Sequence, residues 1–256
     1  MITDSYHPDS KELIDPRKAV PEKTIEAAKK YRIRSFILVF SYKLVEELAK
    51  QGVLEILDVE VSFGSSAMKN PVYRIKGTDT GVLLTGVGAT MASAMVEELF
   101  AAFGCRNFIV FGSCGALVEI PEGKLIVPTG AYRDEGISYH YAEASDYIKV
   151  RNAGKLMEIF DELGVEYITG KTWTTDAFYR ETEEDRDRRA SEGCVCVEME
   201  CSALQAVCDF RGLELYQFVY AADSLNDSWA RRILGNLEMD ARMAYFVLAE
   251  KIAERI

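Results

Sequence analysis

The sequence predicts an α/β protein: a single domain with a mixed, mostly parallel central sheet flanked by helices. Three observations carry this. Several apolar runs of strand length lack polar alternation, as strands buried on both faces do. Amphipathic runs of helix length separate them, which is the rhythm of strand and helix in α/β folds. Two of the strands run directly into glycine turns, Gly86-Val87-Gly88 and Gly112-Ser113-Cys114-Gly115. No internal repeat or interdomain linker interrupts the pattern. Residues 31–256 therefore read as one domain behind an N-terminal arm, residues 1–30.

The arm is polar and carries Pro8, Pro16 and Pro21. It reads as an extended segment, then a short helix capped at Thr24 and running to Lys30. Arms of this kind often pack on a neighbouring subunit. Arg34 to Phe40 is a continuous apolar run and hence a buried strand. Tyr42 to Gly52 has amphipathic spacing with a glycine stop. Val53–Gly64 and Asn70–Gly77 alternate apolar with polar residues, as half-exposed strands do, and residues 77–81 form a turn.

Gly81 to Ala89 is a buried strand ending in Gly86-Val87-Gly88, with a helix from about Met91 to Phe103. Free N–H groups at such a helix start can meet an anion or a polar ligand. A tight turn that needs glycine explains the same residues equally well. Asn107 to Leu117 repeats strand and glycine turn, but lacks the G-x-S-x-G of a nucleophile elbow. Lys124 to Glu143 is a strand leading into a polar, aromatic segment, and Lys155 to Gly164 an amphipathic helix with a glycine stop. Val165 to Thr182 is a strand into a loop holding Asp176, Phe178 and Tyr179. The charge run from Glu181 to Gly193 reads as a solvated helix. Leu213 to Asp227 is a strand reaching Asp223, and a last helix runs from about Trp229 to Ile256.

Composition excludes several classes. Of 256 residues, 48% are hydrophobic and 28% charged, as in a globular chain with a full core. A net charge of −11 argues against nucleic acid or an anionic membrane as partner. An anionic substrate needs a local cationic pocket against that field. Cys105, Cys114, Cys194, Cys196, Cys201 and Cys208 lie mostly in apolar runs, without the spacing of a disulfide framework. Two histidines make a zinc site improbable, and no metal is expected. No apolar run has transmembrane length, and the polar N-terminus does not read as a signal peptide. The expectation is a cytoplasmic protein with reduced thiols.

The stretch Val195 to Leu204 places Glu198 and Glu200 where a strand turns into a helix, with Met199 between them. Desolvating a carboxylate without a partner is costly. Two acids there point to a polar ligand, and a sugar diol suits a carboxylate that accepts two hydroxyl hydrogens. The plain alternative makes Glu198 a helix cap and Glu200 a first-turn acid.

In chain order the motifs TGVGA, FGSCGA, TDAFY, VEMECSAL and AADS resemble the nucleoside phosphorylase superfamily, over roughly residues 34–250. The resemblance implies that Glu200 holds the ribose 2′- and 3′-hydroxyls and Met199 packs on the sugar. It implies that Phe178 stacks on the base while Val197 and Glu198 line the base pocket. Gly88, Ser113 and, from a shifted position, Lys43 are its phosphate-binding candidates. His7 is its candidate for reaching a neighbour's 5′-hydroxyl. Asp223 is its catalytic acid, protonating a purine at N7, with Arg231 or Arg232 assisting. Taken singly, Phe178 and Met199 also read as core residues, Ser113 as a turn hydroxyl and Asp223 as a helix cap; their shared order is what favours a site.

Breaking a glycosidic bond builds positive charge on the ribose, so a carboxylate and an anionic nucleophile both help. An acid that protonates the departing base lowers the barrier further. Two features depart from the family pattern. The first strand ends Phe40-Ser41-Tyr42-Lys43 instead of in a Gly-Asp-Pro loop with an arginine, and Val110 stands where the family tends to carry another arginine. The leading expectation is phosphorolysis of a nucleoside to base and ribose 1-phosphate. Asp223 favours purines, while the segment Tyr132–Tyr141 is closer to the uridine branch. The alternatives are a nucleosidase using water and a non-catalytic nucleoside-binding protein. No cofactor is expected beyond phosphate as co-substrate. The partners expected are a nucleoside, phosphate and further copies of the chain, as a dimer or as a hexamer built from three dimers.

Overall fold

A computed structural model describes residues 1–61, 70–226, 230–231 and 239–256. The order of elements is α1 (Pro16–Ala19), α2 (Glu22–Lys29), β1 (Ser35–Val39), α3 (Tyr42–Lys50), β2 (Leu54–Val61), β3 (Asn70–Ile75), β4 (Thr80–Leu84) and α4 (Ala89–Phe103). Then come β5 (Asn107–Ala116), β6 (Leu125–Asp134), α5 (Ser138–Tyr141), β7 (Tyr147–Lys149), α6 (Ala153–Glu162) and β8 (Tyr167–Thr175). The chain continues with α7 (Glu183–Ser191), β9 (Cys194–Glu198), α8 (Cys201–Arg211), β10 (Glu214–Ser224), β11 (Ala230–Arg231) and α9 (Met239–Ala253). Short 3-10 turns stand at Ile2–Asp4 and Phe178–Arg180.

The strands form one mixed sheet in the order β11-β10-β6-β8-β9-β5-β1-β4-β3-β2, with β7 on β6. Its centre is parallel: β1 pairs with β4 and β5, and β5 also pairs with β10. Every residue of β1 is buried, because neighbouring strands take both edges and helices cover both faces. In β2 the burial alternates for most of its length, since one face meets solvent.

One part of the sheet returns on itself. The pairings β5–β10, β10–β6, β6–β8, β8–β9 and β9–β5 close a ring. Its members contribute a cluster of mostly small residues, including Cys114, Ala116, Cys196 and Ala221. Within the ring β9 enters antiparallel to β5, so Val197 lies opposite Gly115.

Two element boundaries differ from expectation. Helix α2 begins at Glu22 with Pro21 at its N-cap, so Thr24 lies inside the first turn and is not the cap. Ala230–Arg231 pairs with β10 as a strand, so the last helix does not run unbroken from residue 229. Residues 62–64 of the expected second strand and Trp229 lie outside the described residues. All six cysteines are buried and unpaired. Among the described residues no helix is long and apolar enough to cross a membrane.

Candidate active site

The turn from β9 into α8 is organised by Glu198. Its Oε2 accepts the backbone N–H groups of Glu200 and Cys201, each at 2.7 Å. Its Oε1 accepts the hydroxyls of Thr174 at 2.6 Å and Thr172 at 3.3 Å. The first N–H groups of a helix lack partners within it, and this carboxyl supplies one. Glu198 is thus the cap of α8, and its oxygens are occupied although it borders the site. Burial pushes its pKa up, and the four donors pull against that rise.

Glu200 is buried as well, at 7% exposure. Its Oε1 accepts the Gly88 N–H at 2.6 Å. Gly88 has φ +101° and ψ 152°, a conformation that glycine alone adopts readily, and it precedes α4. The polar group that meets this helix start is therefore the protein's own carboxyl. Burial pushes the Glu200 pKa up to about 8, the Glu198 charge adds to the rise, and the Gly88 N–H opposes it. A carboxylate has about four acceptor positions, so the Gly88 bond leaves capacity for a diol.

These acids border a cavity of about 210 Å³. Phe40 after β1, Gly112 to Gly115 in β5, and Asp223 near the end of β10 contribute to it. Parallel α/β sheets place ligands outside the carboxyl ends of their strands, and this cavity follows that rule. Two of its glycines have steric reasons. A Cβ on Gly115 would come within 2.3 Å of Leu225 Cδ1, and one on Gly112 within 3.1 Å of the Phe40 ring.

The structure brings together Val197, Glu198, Met199, Glu200, Phe178, Ser113 and Asp223 around this cavity. Phe178 is 46% exposed, so its ring stands at the opening and is not a core residue. Three other candidates lie elsewhere. Lys43 is exposed and does not line the cavity, because α3 starts one residue earlier and turns Leu44 and Val45 inward. Gly88 sits at the edge, with its N–H held by Glu200. His7 is exposed on the arm, away from this chain's own cavity. The backbone of Arg231 pairs with Asp223, and Arg232 lies outside the described residues. Val110 is fully buried in the core.

Two residues escaped the sequence reading. Glu181 lines the cavity together with Asp223. Burial and the Asp223 charge push its pKa up to about 7. It stands at the head of a charge run that reads as solvated helix, and only its place two residues after Tyr179 marked it. Arg242 is the second. From α9 its Nη1 donates to Ser41 Oγ at 2.9 Å, and its Nε is buried without a hydrogen-bond partner. Its charge opposes the rise that burial gives the Tyr220 hydroxyl, and Tyr220 is the register partner of Ser113. Register partners in parallel strands share a face, so Arg242 lies on the Ser113 side of the sheet.

Among the described residues that line the cavity there are four carboxyl groups and no Lys, Arg or His. No group of three or more His, Cys, Asp or Glu is arranged there or elsewhere among the described residues to hold a metal ion. A larger, more open cavity of about 790 Å³ surrounds Lys124 and Tyr167, but its Lys124–Glu166 ion pair is ordinary surface chemistry.

Fold and cavity together define an α/β protein with an acid-lined cleft at the carboxyl ends of its central strands. A model of the phosphorylase superfamily matches residues 36–245, and the chain belongs to that superfamily. It is 32% identical over 166 residues to a purine nucleoside phosphorylase DeoD-type of Aliivibrio fischeri, covering 63% of this chain and 67% of that protein. It is 33% identical over 141 residues to a guanosine phosphorylase of Halorubrum lacusprofundi, covering 54% and 58%. Among solved structures, an AMP nucleosidase from Bacteroides thetaiotaomicron shares the fold, with a TM-score of 0.64 at 18% identity over 93% of this chain and 99% of that one.

Proposed function

We propose that this protein cleaves the N-glycosidic bond of purine nucleosides, with inorganic phosphate as the attacking nucleophile. The observation that carries the reading is the shared cavity of Glu200, Met199, Phe178 and Asp223. Glu200 binds the ribose diol through the acceptor capacity that Gly88 leaves. The diol's donors and the developing cation favour its ionised form, and that charge stabilises the ribose cation as the bond breaks. Phe178 covers the base at the opening. Asp223, at the far end of β10, supplies the proton that the departing base needs. Ser113 and the α3 cap at Ser41 face the nucleophile, and Arg242 provides the nearby positive charge. The resemblance to a purine nucleoside phosphorylase and a guanosine phosphorylase supports both the base and the nucleophile.

A second reading, hydrolysis by water, is favoured by one observation: no described cavity-lining residue is a cation. A multiply charged phosphate entering a cleft of four carboxyls needs compensation. One experiment separates the readings. Inosine, guanosine, adenosine and uridine are incubated with the protein, with and without phosphate, and free base and ribose 1-phosphate are measured. Phosphate-dependent release of a purine base is the expected result. Release without phosphate selects hydrolysis, and binding without release removes both.

A further inference from the structure

We propose that Glu181 is a second acid of this site, pairing with Asp223 so that the two carboxyls share a proton and pass it to the departing base. This rests on the glycosidic-bond reading above. The structural ground is placement. Glu181 follows the 3-10 turn that holds Phe178, and it lines the same cavity as Asp223. The ring expected over the base and this carboxyl are thus set by one short turn. Two acids bordering a small, poorly solvated space cannot both ionise at ordinary carboxylate pH. The interaction with Asp223 and the burial of Glu181 both act in that direction. Such a pair titrates as a unit.

Among the described residues the charges around the pair are mostly acidic, and Arg231 meets Asp223 through its backbone pairing. Glu198 and Glu200 line the same cavity and are acids too. Cys114, also in the lining, is held as a neutral thiol by burial. From α7, Arg186 donates to the Leu225 carbonyl at 3.1 Å and pairs with Asp187 at 2.8 Å. Arg180 is exposed and does not line the cavity.

The step balances. The electron pair of the glycosidic bond leaves with the base, and the shared proton moves from the carboxyl pair to a ring nitrogen. A phosphate oxygen bonds to the ribose carbon. The resulting sugar phosphate loses its remaining proton to solvent, and the pair takes one proton back from solvent. An acid that is still protonated near neutral pH is matched to this transfer, whereas a lone ordinary carboxylic acid is already ionised.

The test compares kcat/KM against pH for the wild-type protein, Glu181→Gln and Glu181→Asp with a purine nucleoside. Removing the second charge lets the pair's proton leave at lower pH. The descending limb of the Glu181→Gln profile is then expected to move down by at least one pH unit, with a loss of tenfold or more at pH 7.5 that shrinks at pH 5.5. Glu181→Asp restores the limb toward its original position. A uniform loss at every pH, with the limb unmoved, shows a merely structural residue and overturns the proposal. Should the wild-type protein cleave no nucleoside, the functional reading fails separately. The pair is then read by ¹³C NMR titration of the carboxyl carbons in the free protein. A carboxyl of the pair that titrates near neutrality, and shifts in Glu181→Gln, supports it; two ordinary acidic titrations overturn it.

Discussion

The backbone N–H of Gly88 donates to Glu200 Oε1 at 2.6 Å, joining residues 112 apart in the chain. The bond ties the start of α4 to the start of α8 and fixes the carboxyl that faces the cavity. Gly88→Ala keeps the N–H but forces a Cβ into a backbone region reserved for glycine. A Cβ there meets no neighbour within 4 Å, so the penalty is conformational and not steric crowding. The expected loss is about 1–3 kcal/mol in denaturant unfolding, with a raised KM for nucleoside. An unchanged midpoint and KM would show that the backbone relaxes freely here.

Glu200→Gln separates stability from activity. The Glu200 carboxyl is held at about 8 in the folded protein, against an ordinary 4.5. Between those values the folded state binds a proton that the unfolded chain has released. This contribution to stability is therefore present below about 4.5 and is lost as pH rises toward 8. The amide removes that slope, so thermal unfolding of Glu200→Gln becomes flatter from pH 5 to 8, and the variant is the more stable one at pH 8. Turnover falls roughly ten- to hundredfold, as loss of a charge-assisted hydrogen bond requires. A variant that unfolds with the wild-type pH dependence contradicts the assignment.

Glu198 behaves as a framework residue. Glu198→Ala leaves two backbone N–H groups and the Thr174 hydroxyl without their acceptor, while Thr172 keeps the Cys196 carbonyl. The expected cost is roughly 2–5 kcal/mol. Glu198→Gln keeps an oxygen for the N–H pair, and both hydroxyls can turn to accept from its amide, so it loses less than half as much. Equal losses in urea titrations of the two variants would argue against the capping role.

Arg242 is the charge expected to answer phosphate. Arg242→Ala should raise the KM for phosphate at least tenfold while the nucleoside KM changes less than twofold. Arg242→Lys should recover only part of it, because lysine lacks the planar fork. Initial rates with phosphate varied at saturating nucleoside decide this, and a phosphate KM that stays put removes Arg242 from the anion's surroundings.

Much of this arrangement could be read from the chain, for reasons tied to particular residues. Buried strands such as β1 have a continuous apolar signature, and Gly112 and Gly115 mark places where Phe40, Leu225 and Val197 come close. The turn at Glu198–Glu200 was legible because acids at a strand end demand partners. The sequence does not say which partners, and these proved to be two threonines from β8 and a glycine before α4. Lys43 misled because one residue of helix register decides whether a side chain faces in or out. Arg242 was hidden by the apolar spacing of its helix, and Glu181 by the charges that follow it. The closure of the ring through β9 was illegible, since no local pattern records which distant strand pairs antiparallel with β5.

The ring of strands also bears on how the molecule is made. Its closure needs β10, residues 214–224, lying along β5, residues 107–116. Asp223 and Ser113 therefore become neighbours of one cleft only after more than a hundred intervening residues have been synthesised and ordered. Pairings so far apart in the chain form slowly. Ligand affinity in refolding should consequently trail the recovery of helical signal, and a nascent chain ending before β10 can hold neither sugar nor base.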